Sequence, residues 1–281
     1  MSNPLSSPGY LRLLALQQRI HQFTRAQAAD RDDDPDDLSA PLWVDDYNYL
    51  ALAPIRGGLH VEFHGELWDD PFAWTLACLA EQPVANAISS LRFSGPDTGA
   101  NGTREWEFTP LLDSAVTFGQ LRSLAISPTE PQHHNISLVQ KAGTIMEEAG
   151  EIARFVAKAP YLSELILPNA PDASVFQVDL PHLELLHIGA GCDTQGFVDN
   201  LAASSNLPRL RTLDFSESTE LQHTWSHQRQ DDAVTSFASY EKIRPNLQFM
   251  VIQATGGGYV KNFARQVFPW HHLVQSDPGQ R

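Results

Sequence analysis

The densest set of metal-ligand side chains lies in ESTELQHTWSHQRQDD, where Glu220, His223, His227 and Asp231 recur every three or four residues. On a helix that spacing places all four on one face, and two imidazoles four apart with a carboxylate can hold a zinc ion. The pattern departs from H-E-x-x-H, because Thr224 follows His223 and neither Trp225 nor Ser226 supplies a general base. The segment reads as a polar insert with Trp225 tucked onto the body, and no metal is assigned to it. A second candidate is LELLHIGAGCDTQGFVDNLAASSNLPRLRTLDFSE, where Gly189, Gly191 and Gly196 follow an apolar run and Asp214 lies 25 residues beyond the first glycine. Glycines so placed can admit a diphosphate to a helix N-terminus while the acid bonds a ribose. Their spacing here is the loose G-x-G-x-x-x-x-G, and the fragment is internal.

Nucleophiles fare no better. There is no G-x-S-x-G and no G-x-x-x-x-G-K-[ST], and Cys78 in AWTLACLA reads as a buried helix residue. The adjacent pairs His133–His134 and His271–His272 make poor chelates, because neighbouring side chains diverge. Three glycines at 256–258, with Lys261 nearby, could hold an anion, but they read as the exit from a stacked core into a capping helix, YVKNFARQVF. Without a coherent acid, base and nucleophile set, the expectation is a non-enzymatic protein with no cofactor.

Charge and composition narrow the partners. With 34 acidic against 19 basic residues and a net charge of -15, the global field repels nucleic acid, and the four lysines make no basic groove. No run of 18 apolar residues could span a bilayer, so no membrane partner is expected. MSNPLSSPGYLRLLALQQRI lacks the features of a secretory signal, which predicts a cytoplasmic location. Two cysteines, Cys78 and Cys192, give no disulfide framework.

The elements that position these residues are repetitive. Residues 11–26 have the periodicity of a short amphipathic helix, and DRDDDPDD reads as a solvated loop without the glycine and spacing of a calcium loop. PLWVDDYNYLALAPIRGGLHVEFHGEL predicts one or two strands, and PFAWTLACLAEQP a helix stopping at Pro83. One apolar template then recurs six times: Ile88, Leu91, Phe93; Leu121, Leu124, Ile126; Leu162, Leu165, Leu167; Leu183, Leu186, Ile188; Leu210, Leu213, Phe215; and Leu247, Met250, Ile252. GGLHVEFHG is a degenerate seventh copy. First positions are separated by 33, 41, 21, 27 and 37 residues, with helices expected at 108–118, 137–159, 194–205 and 231–243. A strand and a return at this period build a solenoid, since no single unit can bury its own apolar face.

On these copies, roughly residues 85–255, the chain resembles the leucine-rich repeat proteins, whose pattern is LxxLxL followed by a loop and an Asn or Cys. Asn169 and Cys192 fall near that place, whereas Pro96, Thr129, Glu217 and Thr255 stand there in other copies. The resemblance implies an α/β horseshoe with parallel strands on the concave face and helices or irregular returns on the convex face. One explanation covers six segments where the nucleotide reading covers one, so Gly189 is expected to serve coil stacking and Cys192 to be a small buried thiol.

The expected organisation is an N-terminal helix and acidic segment over 1–40, a repeat domain over 41–255 and a C-terminal cap or tail over 256–281. Strand alternation turns the fifth-position residues Arg92, Ala125, Ile166, His187, Asp214 and Val251 outward. Arg92, Ile166, Leu185, His187 and Phe249 are the expected binding residues, with Asp214 and Glu217 as acidic contacts for a basic protein partner. The function expected is protein recognition, leaning toward an inhibitor or immunity-type role. The alternative is a metal- or nucleotide-dependent enzyme with its site in the return loops. A terminal arm, either the first helix or FPWHHLV, is the competing occupant of the concave face.

Overall fold

A computed structural model describes residues 4–31, 48–97, 102–129, 133–145, 147–189, 196–218, 249–255, 266–269 and 274–275. The helix α1 (Pro8–Arg31) precedes a hairpin of β1 (Tyr49–Ile55) and β2 (Gly58–His64). Gly57, with φ 96°, supplies the left-handed backbone that the two-residue turn requires. The helices α2 (Asp70–Leu79) and α3 (Gln82–Ala85) lead into β3 (Ile88–Ser94). Then β4 (Gly102–Trp106) and α4 (Thr109–Leu112) lead to β5 (Ser123–Ile126). Next, β6 (Asn135–Val139) and α5 (Glu151–Ala157) lead to β7 (Glu164–Leu167). A 3-10 turn (Ala173–Gln177) returns to β8 (Leu185–Ile188), and α6 (Phe197–Ala203) to β9 (Thr212–Ser218). The described strands end with β10 (Phe249–Thr255), β11 (Gln266–Pro269) and β12 (Val274–Gln275).

Ten of these strands form one sheet in the order β1-β2-β3-β5-β7-β8-β9-β10-β11-β12. The seven from β2 to β10 are parallel neighbours in chain order; the hairpin at one side and β11 and β12 at the other are antiparallel. The protein is therefore α/β with a mostly parallel sheet that does not close into a barrel. Among the described residues no helix is long and apolar enough to cross a membrane.

Alternation decides which face is buried. Leu91, Leu124, Leu165, Leu186 and Leu213 pair in register across five strands and are at most 3% exposed. Each such side chain contributes about 1.5–3 kcal/mol by leaving water. The seventh copy joins this spine through Leu59, Val61 and Phe63, all buried. Behind the spine lies a second sheet, β4 parallel to β6. Its buried Trp106 donates Nε1–H to Ser137 Oγ at 2.9 Å and meets Phe72, Phe93 and Phe108, so Trp106 anchors the long 94–110 return. Asn169, beyond β7, closes the free edge of β6: its Oδ1 accepts the Val139 N–H at 2.8 Å and its Nδ2 donates to the Val139 carbonyl at 3.2 Å.

Several expected helices are corrected. The one at 137–159 begins as strand β6, passes a loop in which Gly143, Ala149 and Gly150 have positive φ, and becomes helical only at Glu151–Ala157. Three left-handed residues cannot continue a right-handed helix. The helix at 108–118 is the single turn Thr109–Leu112, and that at 194–205 narrows to Phe197–Ala203. The helix before Pro83 ends at Leu79, because Pro83 sits in the first turn of α3, where its missing N–H costs nothing. Part of the expected capping helix, 266–268, is instead strand β11. The expected helix at 231–243 lies outside the described residues.

The first helix is longer than residues 11–26 and does not occupy the exposed face of the sheet. It buries Leu13, Leu16 and Ile20, and packs on β1, α2 and α3. Gln17 donates to the Leu50 carbonyl at 2.6 Å and Thr24 to the Asn48 carbonyl at 2.8 Å. These bonds satisfy carbonyls along the sheet edge at β1.

Candidate recognition face

Opposite the buried spine, the parallel strands present two in-register rows. One runs Glu62, Arg92, Ala125, Ile166, His187, Asp214 and Val251; the other runs His60, Ser90, Ser123, Glu164, Leu185, Thr212 and Phe249. Arg92 is exposed, while Ala125, Ile166, His187, Asp214, Glu164 and Leu185 are half-buried. Arg92, Ile166, His187 and Asp214 thus share one row, with Leu185 and the Phe249 position on the next. Glu217 stands an odd three residues beyond Asp214 and pairs with Ala254, which takes its position out of the Asp214 row.

At the β2 side the face carries a polar network that sequence reading passed over. His60, Glu62 and His64 alternate along β2, so one strand turns all three to the same side. The signal was present as the period-2 pattern H-V-E-F-H within GGLHVEFHG. Ser94 donates its hydroxyl proton to Glu62 Oε1 at 3.1 Å, so its contact with His64 Nδ1 at 2.9 Å has the imidazole N–H as donor. Arg92 Nε lies 3.6 Å from Glu62 Oε1 and donates to Ser127 Oγ at 3.3 Å. His60 Nδ1 is 2.8 Å from Ser90 Oγ, and the Tyr49 ring stacks on His64 at 4.8 Å. Further along, His187 Nδ1 faces Asp214 Oδ2 at 3.8 Å.

The network does not form a nucleophile, base and orienter. His60 Nε2 is 4.0 Å from Glu62 Oε2, too far to hold the imidazole for Ser90, and the Ser94 proton is already committed to Glu62. Nor does it form a metal centre. Four residues of extended strand separate His60 from His64 by about 13 Å, and among the described residues no three His, Cys, Asp or Glu side chains could hold an ion. Cys78 on α2 is half-buried; burial, then the Glu81 carboxylate, push its thiol up to about 11, against some help from Arg12, so it is a poor nucleophile.

Gly189 has a packing role. Its N–H donates to the Leu167 carbonyl at 2.8 Å, and an added methyl group would sit 2.5 Å from Pro128 Cβ. Only a glycine lets the chain leaving β8 lie this close to the neighbouring coils. Asp214 stands within β9 facing His187. Gly191, Cys192, the set Glu220, His223, His227 and Asp231, the glycines at 256–258 and residues 270–272 lie outside the described residues. Comparison with known proteins found no matching family model, no matching curated protein and no matching solved structure.

Proposed function

We propose that the chain is a leucine-rich-repeat-like solenoid, non-enzymatic and cytoplasmic, that binds a protein partner through the exposed and concave face of its parallel sheet, in an inhibitor or immunity-type role. The observation that carries this reading is the pair of in-register rows. Strands from β3 to β9 bury one side completely and leave Arg92, Ile166, Leu185, His187 and Asp214 partly accessible on the other. Aliphatic anchors beside satisfiable polar groups are what a protein interface uses. The β2 network supports recognition over chemistry, because its hydroxyls and imidazoles are engaged with one another.

The test is affinity capture with three forms of the full chain. Ile166→Asp and Leu185→Asp place charge in the centre of the face; Ile145→Asp changes an 88% exposed residue of the 141–147 loop. A partner held by the wild type and by Ile145→Asp, and lost with both face variants, supports the reading. Undiminished capture by Ile166→Asp and Leu185→Asp removes it.

A further inference from the structure

Resting on that reading, the structure assigns the chemistry of one partner contact: we propose that a lysine or arginine side chain of the partner lies across β5, its stem against Ile166 and its cation on Glu164. The argument begins with how the charges on the face are matched. Glu62 holds Arg92 and the Ser94 hydroxyl, and Asp214 faces His187. Glu164 is different: among the described residues its carboxylate has neither a hydrogen bond nor an ion pair. It is half-buried, paired in register with Ser123 on one side and Leu185 on the other, with Ile166 next on its own strand face. A carboxylate partly withdrawn from water beside aliphatic groups has lost solvation without gaining a partner.

The surface beside it has the matching shape. β5 and the residue after it present Ser123, Ala125 and Ser127, all small, with Glu164 and Ile166 of β7 on one side and Ser90 and Arg92 of β3 on the other. Neighbouring strands lie about 4.8 Å apart, so this low strip is about 10 Å wide from β3 to β7. Long cationic side chains carry an apolar stem and a charged head, the same two demands that Ile166 and Glu164 make together. Arg92 offers little repulsion, because its Nε is turned to Glu62 and Ser127 at the other end of the strip. The net charge of -15 favours the approach of a basic surface over an acidic one.

The probe is n-butylguanidinium, a stem and a head without the rest of a protein, titrated into the full chain while the Ile166 and Leu185 methyl resonances are followed by NMR. Saturable shifts are expected in the wild type and in Glu62→Gln, with a Kd at least about tenfold higher in Glu164→Gln, which keeps the shape and removes the charge. Shifts that stay linear to about 100 mM, or equal affinities for wild type and Glu164→Gln, overturn the assignment. The two proposals fail separately. Fragment binding at Glu164 with capture indifferent to Ile166→Asp sinks the partner face alone, whereas capture that needs Ile166 without fragment binding sinks the cation slot alone.

Discussion

Asn169→Ala is the sharpest perturbation of the fold. The Asn169 side chain bonds both the N–H and the carbonyl of Val139, at 2.8 and 3.2 Å, and the two residues are 7% and 1% exposed. Truncation removes the side-chain partner of two buried backbone groups. Each such group costs about 1–3 kcal/mol, so the variant should lose about 2–6 kcal/mol of stability. Asn169→Asp keeps the acceptor for the Val139 N–H but turns an oxygen toward the carbonyl and buries a charge, so it should do no better than alanine. Urea unfolding followed by tryptophan fluorescence, with Trp106 as a buried reporter, gives the global change; hydrogen exchange at the Val139 amide gives the local one, expected to quicken more than about tenfold. A loss below about 0.5 kcal/mol with Val139 protection unchanged would refute the idea that this asparagine closes the edge of the second sheet.

Two further perturbations test charge and reactivity. Burial raises the Asp97 carboxyl, but the His134 side chain and the backbone N–H groups of His134 and Asn135 outweigh it and hold the group at about 2. A folded-state value below the usual 3.8 gives stability present at neutral pH and lost as pH falls from about 4 toward 2, so urea midpoints of wild type should drop more steeply there than those of Asp97→Asn. With the Cys78 thiol near 11, a Cys192→Ser chain at pH 8 should react with iodoacetamide at least about tenfold more slowly folded than in urea, measured by mass spectrometry; equal rates would contradict the burial of that thiol.

The strand portion of the fold was readable because burial on one side of a sheet imposes a strict period of two. Leu165 and Leu186 could be placed inward, and Ile166 and His187 outward, from spacing alone. The returns obey no such rule. In SLVQKAGTIMEEAGEIARFVAKA the apolar residues keep a helical rhythm, yet the first of them complete β6, whose partner β4 lies 33 residues earlier in the chain. That pairing depends on Trp106 reaching Ser137 and on Asn169 reaching Val139, contacts that no local pattern encodes. The β2 network lies outside what an apolar template encodes: the template fixes only the residues that GGLHVEFHG buries, and says nothing of its outward side, His60, Glu62 and His64. Glu164 stood in an outward position throughout, but its want of a partner emerges only once the neighbouring charges are seen to be taken.

Successive template copies stand 21 to 41 residues apart, and still every parallel strand from β3 to β9 meets its neighbour in the same frame. Lengthening a loop is thermodynamically cheap, about 0.6 kcal/mol for each doubling. The rear of the molecule can therefore absorb inserted sequence, for example around Gly143, while the front keeps its geometry. An engineer could graft a tag or a whole module there and leave the exposed face of the sheet undisturbed, and mutation can enlarge one side of this architecture independently of the other.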